Sequence, residues 1–293
     1  MKILICSDGM PAADTAARIG GMLAAACQAK TVLLGIAEKP TDEQPLRHAL
    51  DTQAESVRSL GVTPEIVIQA GDPIAEMLEQ TTAVKYDLVV IGARRTRTTG
   101  LHWRSEKTYE VIKAVPAPVL VAIGDCTTLR RFLVCTGGKR YIEDAVHLTA
   151  QIAKAVGGTV TLLHVMAEPP AIYANLVRLE EDLDRLLESG SELGVNLVRQ
   201  KKELEGMGVT TVVRVRHGIV ADQVFAEARE SEQDVIVTGS SRARGALRHY
   251  IMGDLTRTIL NHADCPVLVA RSGLPPGGGL WGSLKRAFGR TGE

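Results

Sequence analysis

Val235-Ile-Val-Thr-Gly239-Ser-Ser-Arg-Ala-Arg-Gly245-Ala-Leu-Arg-His-Tyr-Ile-Met-Gly253-Asp254 opens as an apolar strand, passes through a basic loop punctuated by glycines, and ends in a helix. Such a loop can offer backbone N–H groups and a helix N-terminus to a phosphate. A poorer copy runs from Asp87-Leu-Val-Val-Ile-Gly92 to Ser105. Outward from this pair, the whole chain repeats. Ile3-Leu-Ile-Cys6 matches Phe132-Leu-Val-Cys135, and Leu33-Leu-Gly-Ile36 matches Leu162-Leu-His-Val165, both at an offset of 129. From Gly71 and Gly218 the offset is 147, so the second copy carries 18 extra residues between its second and third strands. It becomes 148 where Ala117-Pro-Val-Leu-Val meets Cys265-Pro-Val-Leu-Val. Self-similarity over a full domain length marks a duplication.

Within one copy, short β-rich apolar runs alternate with amphipathic segments. Strands are expected at Lys2–Cys6, Thr31–Ile36, Glu65–Gln69, Asp87–Gly92 and Pro118–Ile123, and an Ala-rich helix over about 12–29. A helix from Pro73 to Thr81 is expected with Asp72 as its N-cap. The 18 extra residues fall in Ile172–Leu204, where Leu176, Leu179, Leu183, Leu186 and Leu187 recur at helical spacing, so they add helix. Alternation of this kind implies a parallel sheet covered on both faces, with ligands taken outside the carboxyl ends of the strands. The expected architecture is α/β: two domains, residues 1–126 and 127–272, with an insertion at about 170–205 and a tail at 273–293.

Composition narrows the function classes. Lys plus Arg and Asp plus Glu both number 34, so no global field attracts nucleic acid or an anionic membrane. Aromatic residues make up 3% of the chain, which leaves few platforms for stacking single-stranded nucleic acid. The five cysteines form no CxxC pair and several sit in apolar strands, which fits a reducing, cytoplasmic setting. No stretch reaches the roughly 18 apolar residues of a membrane span.

The chain resembles a tandem universal stress protein, two UspA-type domains in one polypeptide. The resemblance rests on Ile3-Leu-Ile-Cys-Ser-Asp8-Gly9, on the fourth strand entering a glycine loop, and on the Ala-Pro-Val-Leu-Val and Cys-Pro-Val-Leu-Val strands. It implies a flavodoxin-like five-stranded sheet in each half and pairing of the halves through their last strands. In one branch it also implies ATP or another adenine nucleotide in the cleft, held by Gly-x2-Gly-x9-Gly-Ser/Thr and by an aspartate in the first turn.

Each copy keeps part of that pattern. The second retains Gly239 and Gly253, but Arg242 stands at the middle glycine, Gly245 follows three residues later, and Asp254 replaces the hydroxyl that would face phosphate. Gly137 takes the place of the aspartate, with Gly138 beside it. The first copy keeps Asp8, Gly9 and Gly92 but has Arg95 and Ser105 at the later glycines. For the glycines, a phosphate cradle stands against a simple strand-to-helix turn. For Asp8, a hydrogen bond to an adenine or ribose edge stands against capping of the first helix. The loop arginines, Arg94, Arg95, Arg97, Arg242, Arg244 and Arg248, read as phosphate contacts or as solvated charges.

His164 reads as a packed residue, and the histidines show no zinc spacing. No GxSxG, HExxH or CxxC pattern is present. In the tail, Leu280, Leu284, Ala287 and Phe288 share a helical face beside Lys285, Arg286 and Arg290, a pattern suited to a protein partner or a membrane surface. The expected function is therefore a stress-response regulator that senses an adenine nucleotide, such as ATP, through a degenerate site in the second copy, without turning it over. The alternatives are a protein-interaction module that binds no nucleotide, as a homodimer or with another partner, and a slow ATP hydrolase.

Overall fold

A computed structural model describes residues 1–93, 95–98, 101–104, 106–137, 143–166, 183–242, 250–251 and 253–272. The first half runs β1 (Lys2–Ser7), α1 (Pro11–Ala26), β2 (Lys30–Ala37), a 3-10 turn at Pro40–Asp42, α2 (Glu43–Arg58), β3 (Glu65–Ala70), α3 (Pro73–Ala83), β4 (Leu88–Gly92), β5 (Arg95–Thr98), β6 (Leu101–Arg104), α4 (Glu106–Ala114) and β7 (Val119–Ala122). The second runs β8 (Arg131–Cys135), α5 (Glu143–Ala155), β9 (Thr159–Met166), α6 (Leu183–Glu188), α7 (Glu192–Gly206), β10 (Thr210–His217), α8 (Val220–Glu230), β11 (Val235–Arg242), β12 (Tyr250–Ile251), α9 (Asp254–His262) and β13 (Val267–Ser272).

In each half five parallel strands take a doubly wound order, β3-β2-β1-β4-β7 and β10-β9-β8-β11-β13. The strands are apolar throughout because helices cover both faces; Leu4, Leu33, Val89 and Val237 are fully buried. Helix α1 lies close on the sheet because its contact face is small: a Cβ at Gly20 would come within 2.7 Å of the Ile5 side chain. At α3, Asp72 is the N-cap, its Oδ1 accepting from the Ile74 and Ala75 N–H groups at 3.1 and 3.0 Å.

The two sheets become one where β7 and β13 pair antiparallel, with Leu120 opposite Leu268. Two apolar cores, one per face, therefore run through both halves. Arg271, only 6% exposed, seals this junction. From β13 its Nε donates to the Ala117 carbonyl at 2.9 Å, and its Nη2 donates to those of Val115 (2.7 Å) and Ile112 at the end of α4. Tyr109 of α4 donates to Asn261 of α9, and Arg257 lies 5.1 Å from the Tyr109 ring centroid.

The segments after the fourth strands differ from a plain glycine loop. In the first half, β5 and β6 form an antiparallel hairpin. In the second, β11 continues past Gly239 to Arg242 and pairs with β12, Arg242 opposite Tyr250. Backbone groups in these segments satisfy one another in strand ladders, so part of each supposed loop is committed to sheet. The extra helical length of the second half is split into α6 and α7 at Gly190, whose φ of +67° breaks the helix. Gly138, Gly245, residues 167–182 of the insertion and the tail 273–293 lie outside the described residues.

Candidate functional cleft

Strand order reverses beside β1 in the first half, so the carboxyl ends of β1 and β4 open a crevice there. The crevice holds a cavity of about 170 Å³. Its floor is Cys6, Ser7 and Asp8 from β1 and the turn after it, with Ile91 and Gly92 from β4. Its walls are Ile36 and Glu38 at the end of β2, Pro73, Ile74 and Met77 of α3, Thr108 and Val111 of α4, and Ala12 and Ala13 of α1. It is an apolar slot with two carboxylates and two hydroxyls. Burial pushes the Cys6 thiol up to about 12, so it is an uncharged part of the floor.

The turn after β1 is bound to itself. The Ser7 Oγ accepts the Gly9 N–H and Asp8 Oδ1 accepts the Met10 N–H, both at 3.0 Å, while Gly9 takes a φ of +72°. Asp8 therefore organises the start of α1, and it also borders the cavity. Gly92 borders the cavity too, but a Cβ there would lie 2.2 Å from the Ala12 carbonyl oxygen. This glycine is required by the approach of α1 to β4. The parallel-sheet rule marks the turn Ser7-Asp8-Gly9 and the segment from Gly92 as candidate walls of one cleft, but sequence patterns did not single out Glu38 or Thr108; Glu38 directly follows β2, where the same rule could have flagged it.

The equivalent positions of the second half are filled differently. Thr136 stands at the Ser7 position and donates to Gln200 of α7 at 3.2 Å, while its carbonyl lies 2.9 Å from His164 Nδ1. His164 is thus packed into a polar contact. Gly137, Gly239 and Gly253 are exposed, and no atom of the described residues lies within 4 Å of a Cβ placed on any of them. The Gly239 carbonyl accepts from Thr256 Oγ1 at 3.1 Å, and Thr256 also shares a hydrogen bond with Thr238 at 2.9 Å. Gly253 is the N-cap of α9 with φ −67° and ψ 161°, and Asp254 is the exposed first residue of that helix. Arg242 is placed by its backbone in β11. Among the described residues no three His, Cys, Asp or Glu side chains gather into a metal site.

Doubly wound sheets joined edge to edge define a duplicated α/β protein of flavodoxin-like architecture. The chain belongs to the universal stress protein family, whose model matches residues 1–122 and 128–271. It is 26% identical over 143 residues to a universal stress protein of Methanocaldococcus jannaschii, covering 48% of this chain and 82% of that protein. A Bacillus subtilis universal stress protein is 23% identical over 146 residues, covering 48% of this chain and 98% of its own. The crystal structure of a universal stress protein from Archaeoglobus fulgidus superposes with a TM-score of 0.70 at 17% identity, covering 93% of this chain and 98% of that one. That likeness spans both halves and bears on the fold.

Proposed function

We propose that this chain is a cytoplasmic stress-response regulator that binds an adenine ligand without turning it over, and that the first-half cleft is its binding site. The observation that carries this is the cavity at the β1 and β4 ends, where apolar walls suited to a base meet Asp8, Ser7 and Thr108. The five cysteines are free thiols, which supports a reducing compartment. No helix among the described residues is long and apolar enough to cross a membrane. The second-half glycines, Gly239 and Gly253, form the rim of a second cleft of the same ancestry; with Thr256 holding the Gly239 carbonyl, that cleft is the lesser candidate.

Calorimetric titration of the full chain with adenosine, ATP, ADP and a cyclic adenine nucleotide tests the reading. Binding is expected, and Ile74→Trp, which fills the cavity from α3, is expected to abolish it while the far-ultraviolet spectrum stays unchanged. Binding that survives Ile74→Trp but is lost in Gly253→Val would move the site to the second half. Absence of heat and of thermal shift at millimolar ligand would overturn the adenine reading and leave the interaction module.

A further inference from the structure

The two halves are related about a point between Leu120 and Leu268, which face each other where β7 and β13 pair antiparallel. Under the repeat offsets, each position at this junction has a mate in the other half. On one side the chain itself fills the groove beneath the sheet. The segment leaving β7 turns at Gly124, where φ is +68° and a Cβ would lie 2.5 Å from the Asp264 carbonyl oxygen. It then passes between α1 and the start of β11: the Cys126 carbonyl accepts from Arg18 of α1, and Thr128 Oγ1 donates to Asp234 Oδ1 at 3.3 Å. Cys126 packs against the apolar core, and Leu129, 3% exposed, enters it.

The mate of this place is an open groove of about 510 Å³, whose lining includes Asp87, Pro116, Ala117, His147 and Leu148. Asp87 matches Asp234, and each carboxylate also accepts the N–H of the first residue of a strand, Lys2 at 2.8 Å and Arg131 at 2.9 Å. His147 matches Arg18, and Pro116 matches Asp264. In the same register the segment leaving β13 matches the one leaving β7, with Ser272 at the place of Gly124 and Leu274 at that of Cys126. It also sets out from the right point. Arg271 donates to the Ala117 carbonyl, so Ser272, where the described residues end, stands at the lip of the groove.

We infer that this groove is the seat of the chain's own residues 273–279, with Leu274 against Leu148. The two substitutions compensate in size, for His147 is shorter than Arg18 and Leu274 is larger than Cys126. Pro275 and Pro276 restrict the segment before it docks, which lowers the cost of ordering it. Pro276 matches Thr128 and has no donor for Asp87, so the apolar contact of Leu274 carries the docking. Tethering at Ser272 gives the segment an effective concentration on the order of millimolar, at which a small contact suffices.

Urea unfolding of the full chain tests it, with Leu274→Asp, Leu274→Ala, Leu148→Ala and the double alanine variant. Leu274→Asp is expected to raise the unfolding equilibrium constant by at least about threefold, whereas a solvated leucine would tolerate the change. The two alanine variants are expected to fall short of additivity by at least about threefold, because each removes the same contact. A smaller effect of Leu274→Asp overturns the docking. Alanine variants that are closer to additive overturn this groove as the seat. Coupling that disappears on about hundredfold dilution overturns self-docking, since the segment would then come from a second copy.

Discussion

The two clefts descend from one ancestral pocket and have diverged at matching positions. Where the first half places Asp8, the second places Gly137; where α3 starts from Asp72 with two cap hydrogen bonds, α8 starts from Ile219, 70% exposed and with none from its side chain. Gly92 is pinned against the backbone of α1, while no atom of the described residues lies within 4 Å of a Cβ placed on Gly239. The first cleft is closed on itself by carboxylates. The second keeps its glycines, but Thr256 and Thr238 bind around one of them. Duplication supplies two copies of the same strand ends, and a few side chains at the helix starts set them apart.

The comparison is first tested where the halves meet. Arg271→Leu should have the largest effect, because it leaves the carbonyls of Ile112, Val115 and Ala117 without their buried donor. A loss of about 3 kcal/mol or more is expected in urea unfolding. A loss under about 0.5 kcal/mol would mean that water replaces the guanidinium.

The paired glycines come next. Gly92→Ala should cost about 2–3 kcal/mol, since backbone must move, whereas Gly239→Ala should stay within about 0.5 kcal/mol. Equal shifts in thermal midpoint would erase the difference between the clefts. The helix starts give a smaller pair of effects: Asp72→Ala is expected to cost about 1 kcal/mol, and Ile219→Asp to add about 0.5–1 kcal/mol. A destabilised Ile219→Asp would show that this apolar residue has a packing role in solution.

The smallest effect near neutral pH concerns the buried thiols. Burial raises Cys6, Cys135 and Cys265 from the ordinary 9.0 to about 12, favouring the protonated form in the folded state. Their contribution to stability is complete below the unfolded value near 9 and is lost as pH rises towards 12. Iodoacetamide at pH 8 should therefore label the half-buried Cys126 faster than Cys6, which is buried. Equal labelling rates would place the Cys6 thiol in contact with solvent.

Much of the fold was legible because strand burial and repeat offsets are one-dimensional signals. The apolar runs marked β1, β2, β4 and β7, and the offsets of 129, 147 and 148 marked their copies. Asp72 was readable as a cap because capping needs only neighbours in sequence. Of the residues that border the first-half cavity, Asp8 and Gly92 stand in a readable motif, whereas the close approach of Ala12 to Gly92 does not. Gly92 reads as a phosphate glycine in sequence and as a packing glycine in space, because Ala12 is 80 positions away in the chain. The hairpin of β5 and β6 was missed since Arg, Thr and His at alternating positions give no apolar period.

The order of apolar residues along the chain is enough to settle a duplicated parallel α/β protein of the universal stress protein family, for buried strands and helix faces must be written into it. The folded geometry alone shows that Ser7 and Asp8 turn their oxygens back onto the Gly9 and Met10 N–H groups, and that Arg271 closes the junction between halves. Those outcomes depend on donors and acceptors meeting across turns and between domains. Hydrogen bonding has no period along a chain, so only the folded geometry reveals which groups are already satisfied.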